Sequence, residues 1–91
     1  SFNISQNYPN PFNPVTTLSY DLPENGHVSI TIFDIAGKRV KTLVNTYQLA
    51  GSRSAQWNAT NDAGTPVSGG LYFYTIRAGD LKQTRKMLLL K

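Results

Sequence analysis

His27-Val28-Ser29-Ile30-Thr31-Ile32-Phe33-Asp34, followed by Ile35-Ala36-Gly37-Lys38, decides the fold of this 91-residue chain. Val28, Ile30 and Ile32 alternate with Ser29 and Thr31, and a period of two marks a strand with one buried face. Gly37 is the residue of the following turn best able to take positive φ. The chain then returns through Arg39–Val44, with Val40 or Leu43 reaching the core.

The same grammar repeats on both sides of this hairpin. Upstream, Leu18, Tyr20 and Leu22 share one face of a strand over 15–22, with Thr17, Ser19 and Asp21 on the other. Pro23-Glu24-Asn25-Gly26 is a turn with a Pro start and a Gly end. Downstream, Asn45–Ser52 reads as a looser connection closed by Gly51. Arg53–Ala59 is a fourth strand with Ala55 and Trp57 on one face. Asn61–Pro66 is dense in turn residues, and Gly69-Gly70 precedes the strand Leu71–Arg77. Ala78-Gly79-Asp80 leads into a final strand, Leu81–Lys91. Six strands at roughly ten-residue spacing, or seven if Phe2–Ser5 pairs, predict an all-β antiparallel β-sandwich of about seven strands.

Composition narrows the class. Ninety-one residues suffice for one core, read as a single domain over 1–91. Without cysteine there is no disulfide framework and no thiolate metal site. No apolar run approaches the roughly 18 residues of a membrane span. Ser1 starts neither an initiator-Met sequence nor a signal peptide, so the chain reads as a piece of something longer. Net charge is +4, and all of it lies at one end. Residues 1–76 balance Lys38, Arg39, Lys41 and Arg53 against Asp21, Glu24, Asp34 and Asp62. The last fifteen residues set Arg77, Lys82, Arg85, Lys86 and Lys91 against Asp80. A nucleic-acid binder would draw a basic face from several elements, so no nucleic-acid partner is expected.

Catalytic constellations are lacking. His27 is the sole histidine, and with no cysteine the usual nucleophile–base pairs cannot be assembled. The five acids are scattered: Asp21 and Glu24 flank one turn, and Asp34, Asp62 and Asp80 sit at three others. Asn58, Asn61 and Asp62 could offer oxygens to Ca²⁺, but one carboxylate with two amides is weak ligation and turn capping explains them equally. Neither an enzyme, a metal site nor a cofactor is expected. Tyr72 and Tyr74 share a strand face that Ile76 continues, which reads as core or cross-strand packing rather than a sugar-stacking platform.

The two ends of the chain need separate explanations. Asn7-Tyr8-Pro9-Asn10-Pro11-Phe12-Asn13-Pro14 holds three prolines within six residues, each fixing φ and removing a donor. Residues before proline are pushed toward extended geometry, which excludes a helix or a central strand. A stiff lead-in over 1–14 is expected, with Tyr8 and Phe12 packing onto a sandwich formed by 15–91. At the other end, Lys86-Met87-Leu88-Leu89-Leu90-Lys91 is apolar on both strand faces. Such a run reads either as a strand covered on both sides or as an edge that a partner uses.

These segments together resemble the C-terminal sorting domain of the type IX secretion system. The resemblance runs through Gln6–Pro14 with Leu22-Pro23, through Ile32-Phe33-Asp34-Ile35-Ala36-Gly37-Lys38-Arg39-Val40, and through Trp57-Asn58 with Asp62 and Gly64. It continues in Ser68-Gly69-Gly70-Leu71-Tyr72 and ends in Lys86–Lys91. Ala36 departs from the family, which more often has a larger apolar residue there. A similar Ig-like pattern occurs in flagellar hook-capping proteins, with weaker kinship at the Asn-Pro opening.

The resemblance implies an Ig-like, non-catalytic domain that directs a larger cargo across the outer membrane. Its partners would be outer-membrane translocon and shuttle proteins, with a sortase-like peptidase removing it afterwards. The protein would pass through the periplasm to the cell surface or beyond, the domain being monomeric. Gly70, Tyr72, Lys86, Met87, Leu88, Leu89, Leu90 and Lys91 would carry the signal, and Pro9, Asn10, Pro11, Phe12, Asn13 and Pro14 the family's lead-in. The alternatives are a carbohydrate- or surface-binding module, which requires Tyr72, Tyr74 or Tyr47 to be exposed together, and a structural assembly domain.

Overall fold

A computed structural model describes residues 2–91; Ser1 lies outside them. Among the described residues seven strands form: β1 (Asn3–Ile4), β2 (Thr16–Leu22), β3 (Gly26–Phe33), β4 (Arg39–Gln48), β5 (Gly51–Trp57), β6 (Gly70–Ala78) and β7 (Leu81–Leu89). They make two antiparallel sheets, ordered β1-β2-β5 and β4-β3-β6-β7. The predicted all-β sandwich is therefore present, including the short first strand.

The core follows the alternation in the sequence. Leu18, Tyr20 and Leu22 of β2 face Val28, Ile30 and Ile32 of β3 and Tyr72, Tyr74 and Ile76 of β6, all buried. Trp57 closes one end without exposure. Its ring lies 5.8 Å from that of Phe12 and 5.3 Å, edge-on, from that of Tyr72, within the range of favourable aromatic pairs. The three rings join the lead-in, β5 and β6 in one cluster.

The β3–β4 turn is built by Asp34, whose carboxylate accepts from the amides of Ala36 (3.0 Å) and Lys38 (2.9 Å). Gly37 takes φ +85° there, as its missing Cβ allows. Ala36 is exposed at the tip, so its small size leaves the core untouched.

Two expectations are corrected. Asn45–Ser52 is not a loose connection: β4 runs on to Gln48 and β5 begins at Gly51. The far half of β4 is solvent-exposed, and irregular register opposite Ile30/Thr31 and Ile32/Phe33 interrupts the period of two. The signal that would have marked the strand is thereby lost. Tyr8 does not pack onto the sandwich but is 80% exposed. Its backbone is what binds, exchanging two 2.9 Å hydrogen bonds with Thr17.

Candidate functional site: the terminal strand and its clasp

β7 is an edge strand, paired on one side with β6 from Leu81↔Ala78 to Leu89↔Gly70. Period two sends Met87 and Leu89 into the core, each about 1% exposed, while Lys86, Leu88 and Leu90 stay outside. The four-residue apolar run thus splits into two anchors, Met87 and Leu89, and two displayed side chains, Leu88 and Leu90. Lys91 folds back so that its ammonium donates to the Val67 carbonyl.

The outer edge of this half of β7 is taken up by the N-terminal ribbon. Phe12 N–H donates to the Leu88 carbonyl at 3.0 Å, and Leu90 N–H donates to the Phe12 carbonyl at 2.8 Å. Asn10 Oδ1 accepts from Leu88 N–H at 3.0 Å, and Gln6 Nε2 donates to the Lys86 carbonyl at 2.9 Å. An unpaired edge is a template for unwanted pairing; here the chain's own start occupies it. The prolines are compatible with this role because the donors used are those of Tyr8 and Phe12. The Tyr8–Pro9, Asn10–Pro11 and Asn13–Pro14 peptide bonds are cis, and Pro11, Asn13 and Pro14 are exposed.

Asn7 fixes the ribbon from below. It is 2% exposed, and its amide nitrogen donates to Thr16 Oγ1 (2.9 Å) and the Pro9 carbonyl (3.3 Å). Thr16 Oγ1 in turn donates to the Pro9 carbonyl at 2.8 Å. Asn7 N–H donates to the Tyr74 hydroxyl at 3.1 Å, and that hydroxyl donates to the Ser5 carbonyl at 3.4 Å. Arg85 Nη2 reaches the Ile4 carbonyl at 3.1 Å. Burial raises the pKa of the Tyr74 phenol, against smaller lowering contributions from the Asn7 bond and Arg85. Neither Asn7 nor Trp57 stood among the residues assigned a role by resemblance. The only sequence signals for them were an amide just before the Tyr-Pro step and a single tryptophan.

Gly69 and Gly70 meet the chain's end. A Cβ on Gly69 would lie 3.2 Å from the Leu89 carbonyl oxygen and from Lys91 Cβ. Gly70 has φ +145°, a region that disfavours other residues. Tyr72, paired with Met87, is core: it is 7% exposed and its hydroxyl donates to the Ser68 carbonyl at 2.6 Å. Burial raises its pKa, with a smaller push from Asp34. Of the tyrosines a sugar-stacking platform would need, Tyr72 and Tyr74 are buried and Tyr47 alone is exposed.

The Asn58–Asp62 oxygens are engaged within the protein. Asn61 Oδ1 accepts from the Ala63 and Thr65 amides, Asn58 Oδ1 from the Thr60 hydroxyl, and Asp62 Oδ1 from the Thr42 amide. That is turn and bulge capping. His27 Nε2 lies 2.6 Å from Asn45 Oδ1 across the β3–β4 pair, exposed.

Known structures share this architecture. Dimeric latent PorU from Porphyromonas gingivalis superposes with a TM-score of 0.76 at 17% identity, over 98% of this chain and 9% of PorU. PorZ, a surface component of the type IX secretion system of the same organism, gives 0.65 at 20% identity, over 98% of this chain and 12% of PorZ. FlgD from Xanthomonas campestris, a flagellar hook-capping protein, gives 0.67 at 23% identity, covering 96% of this chain and 64% of FlgD. The chain spans less than two thirds of each. At these identities the likeness is one of fold. No curated protein sequence matches the chain. The sequence from 6 to 90, which takes in both the Asn-Pro ribbon and the strand it clasps, matches the model of the secretion system C-terminal sorting domain, and the chain belongs to that family.

Proposed function

We propose that residues 1–91 act as one non-catalytic sorting domain, directing a larger cargo protein across the outer membrane through the type IX machinery. The Asn/Pro-rich lead-in acts as part of this unit, its residues Asn7 to Phe12 being bonded to the sandwich. Cargo passes through the periplasm, is read there by outer-membrane translocon and shuttle proteins, and loses the monomeric domain to a sortase-like peptidase at the surface. Family membership over 6–90 supports the reading. The observation that carries it in this chain is the split of the terminal strand. Met87 and Leu89 hold the strand to a folded platform, so that Lys86, Leu88 and Leu90 are presented in fixed geometry. Docking of such fixed side chains into a groove of the partner incurs little ordering cost at the moment of recognition.

The test is a reporter carrying a signal peptide, with or without residues 1–91 at its C-terminus, in a host that has the export system. The fusion should reach the surface or medium and lose the domain, while the reporter without it stays periplasmic. Periplasmic retention of the full fusion contradicts the reading.

A further inference from the structure

The outer faces of the two sheets differ in chemistry. On the three-stranded sheet, β2 and β5 present Thr17, Ser19 and Asp21 opposite Gln56, Ser54 and Ser52, small polar groups with one acid. On the four-stranded sheet, a row in register runs Arg39, Phe33, Phe73, Lys86 across β4, β3, β6 and β7. Leu71 and Leu88 form the adjacent pair on one side. A row of four threonines, Thr42, Thr31, Thr75 and Thr84, lies on the other. Phe33, Leu71 and Phe73 are only half-buried and none of them packs against the core. Their neighbours along each strand are the residues that point inward.

Charge on this face has one sign. Arg39 and Lys86 end the aromatic row, and Arg77 opposite Lys82 forms a further pair beyond the threonines. The facing strands contribute no carboxylate to these rows. Asp62, on the loop beyond β5, lies 3.7 Å from Arg39 Nε, which leaves the β6–β7 half the more cationic. Two rings and two leucines beside unmatched cations complement a surface with an apolar insert and an acidic surround. A second copy of the same face would set cations against cations.

We propose that the outer face of the β4-β3-β6-β7 sheet, centred on Phe33 and Phe73 and rimmed by Lys86, Arg77 and Lys82, is the docking surface for an acidic, apolar-centred protein of the export machinery. This deepens the sorting reading and rests on it. The terminal strand supplies Lys82, Lys86 and Leu88 to the rim of this surface. Phe33, Leu71 and Phe73, which come from the middle of the chain, supply its centre. Recognition then requires the folded sheet, because no continuous segment carries these residues together.

The experiment uses the reporter fusion with Phe33→Ser/Phe73→Ser, with Lys82→Glu/Lys86→Glu, and with Ser54→Glu/Gln56→Glu on the opposite sheet as control. Each variant chain is also purified and its melting temperature measured. Loss of central apolar contacts or reversal of rim charge should lower the exported fraction by roughly tenfold or more. Melting should stay within about 4 °C of the parent, and the control should export as the parent does. Normal export of both sheet-face variants overturns the docking surface while leaving the sorting reading intact. Retention of the parent fusion overturns both. Binding of a single-stranded oligonucleotide by the parent chain, abolished in the Phe33→Ser/Phe73→Ser variant, would give the face to nucleic acid and also overturn the proposal.

Discussion

At the residue scale, the clasp depends on Phe12 and Asn7. Phe12 is 1% exposed and stacks at a tilt on Trp57 while its backbone bridges to β7. Truncating such a ring costs about 3–5 kcal/mol, a large share of the roughly 5–15 kcal/mol that holds a domain together. Phe12→Ala is therefore expected to unfold near ambient temperature by circular dichroism, whereas Tyr8→Ala, at an exposed site, should melt like the parent. Tyr74 adds a pH dependence. Its folded pKa lies above the ordinary 10.0, chiefly from burial. The folded state then keeps a proton that the unfolded chain gives up, so this contribution is intact below pH 10 and is lost as pH rises through the folded value. Tyr20 and Tyr72 shift in the same direction, burial again leading. Urea midpoints should fall above pH 10, and Tyr74→Phe should flatten part of that fall; an unchanged slope in Tyr74→Phe would remove Tyr74 from the explanation.

At the element scale, alternate residues of β7 have opposite duties. Leu89→Ala opens a hole in the core and should cost about 2–5 kcal/mol. Leu88→Ala, on the outer face, should change stability by no more than about 0.5 kcal/mol. Equal losses in denaturant unfolding would mean that the strand is buried on both sides. This split was half legible in the sequence. Met87–Leu90 reads as apolar throughout, and only the strand's position at the sheet edge tells which residues are anchors. The β2, β3 and β6 strands were legible because each buries one face continuously, as in Val28, Ile30 and Ile32. The end of β4 was not, since Thr46, Tyr47 and Gln48 bury nothing large. Gln48 is held instead by a side-chain bond from Tyr20 at 2.6 Å, which leaves no trace in local pattern.

At the scale of the whole molecule, the two ends of the chain form one structure. Asn10 and Leu88 are 78 positions apart and share a hydrogen bond. Periodicity is a local property, so the prolines could announce a stiff ribbon without naming its partner. The ribbon covers the edge that a partner strand would need over Lys86–Leu90, and what remains available there is a set of side chains on a finished sheet. The site residues reached by resemblance are sorted by this closure: Tyr72, Met87 and Leu89 inside, Lys86, Leu88 and Leu90 outside. The most direct measurement is the exported fraction of the reporter fusion bearing Leu88→Ser/Leu90→Ser, with folding of the purified variant verified by its melting temperature. A folded domain that leaves its cargo in the periplasm is the expected result. A folded domain exported as efficiently as the parent would contradict the proposal that the displayed half of the terminal strand is part of what the machinery reads.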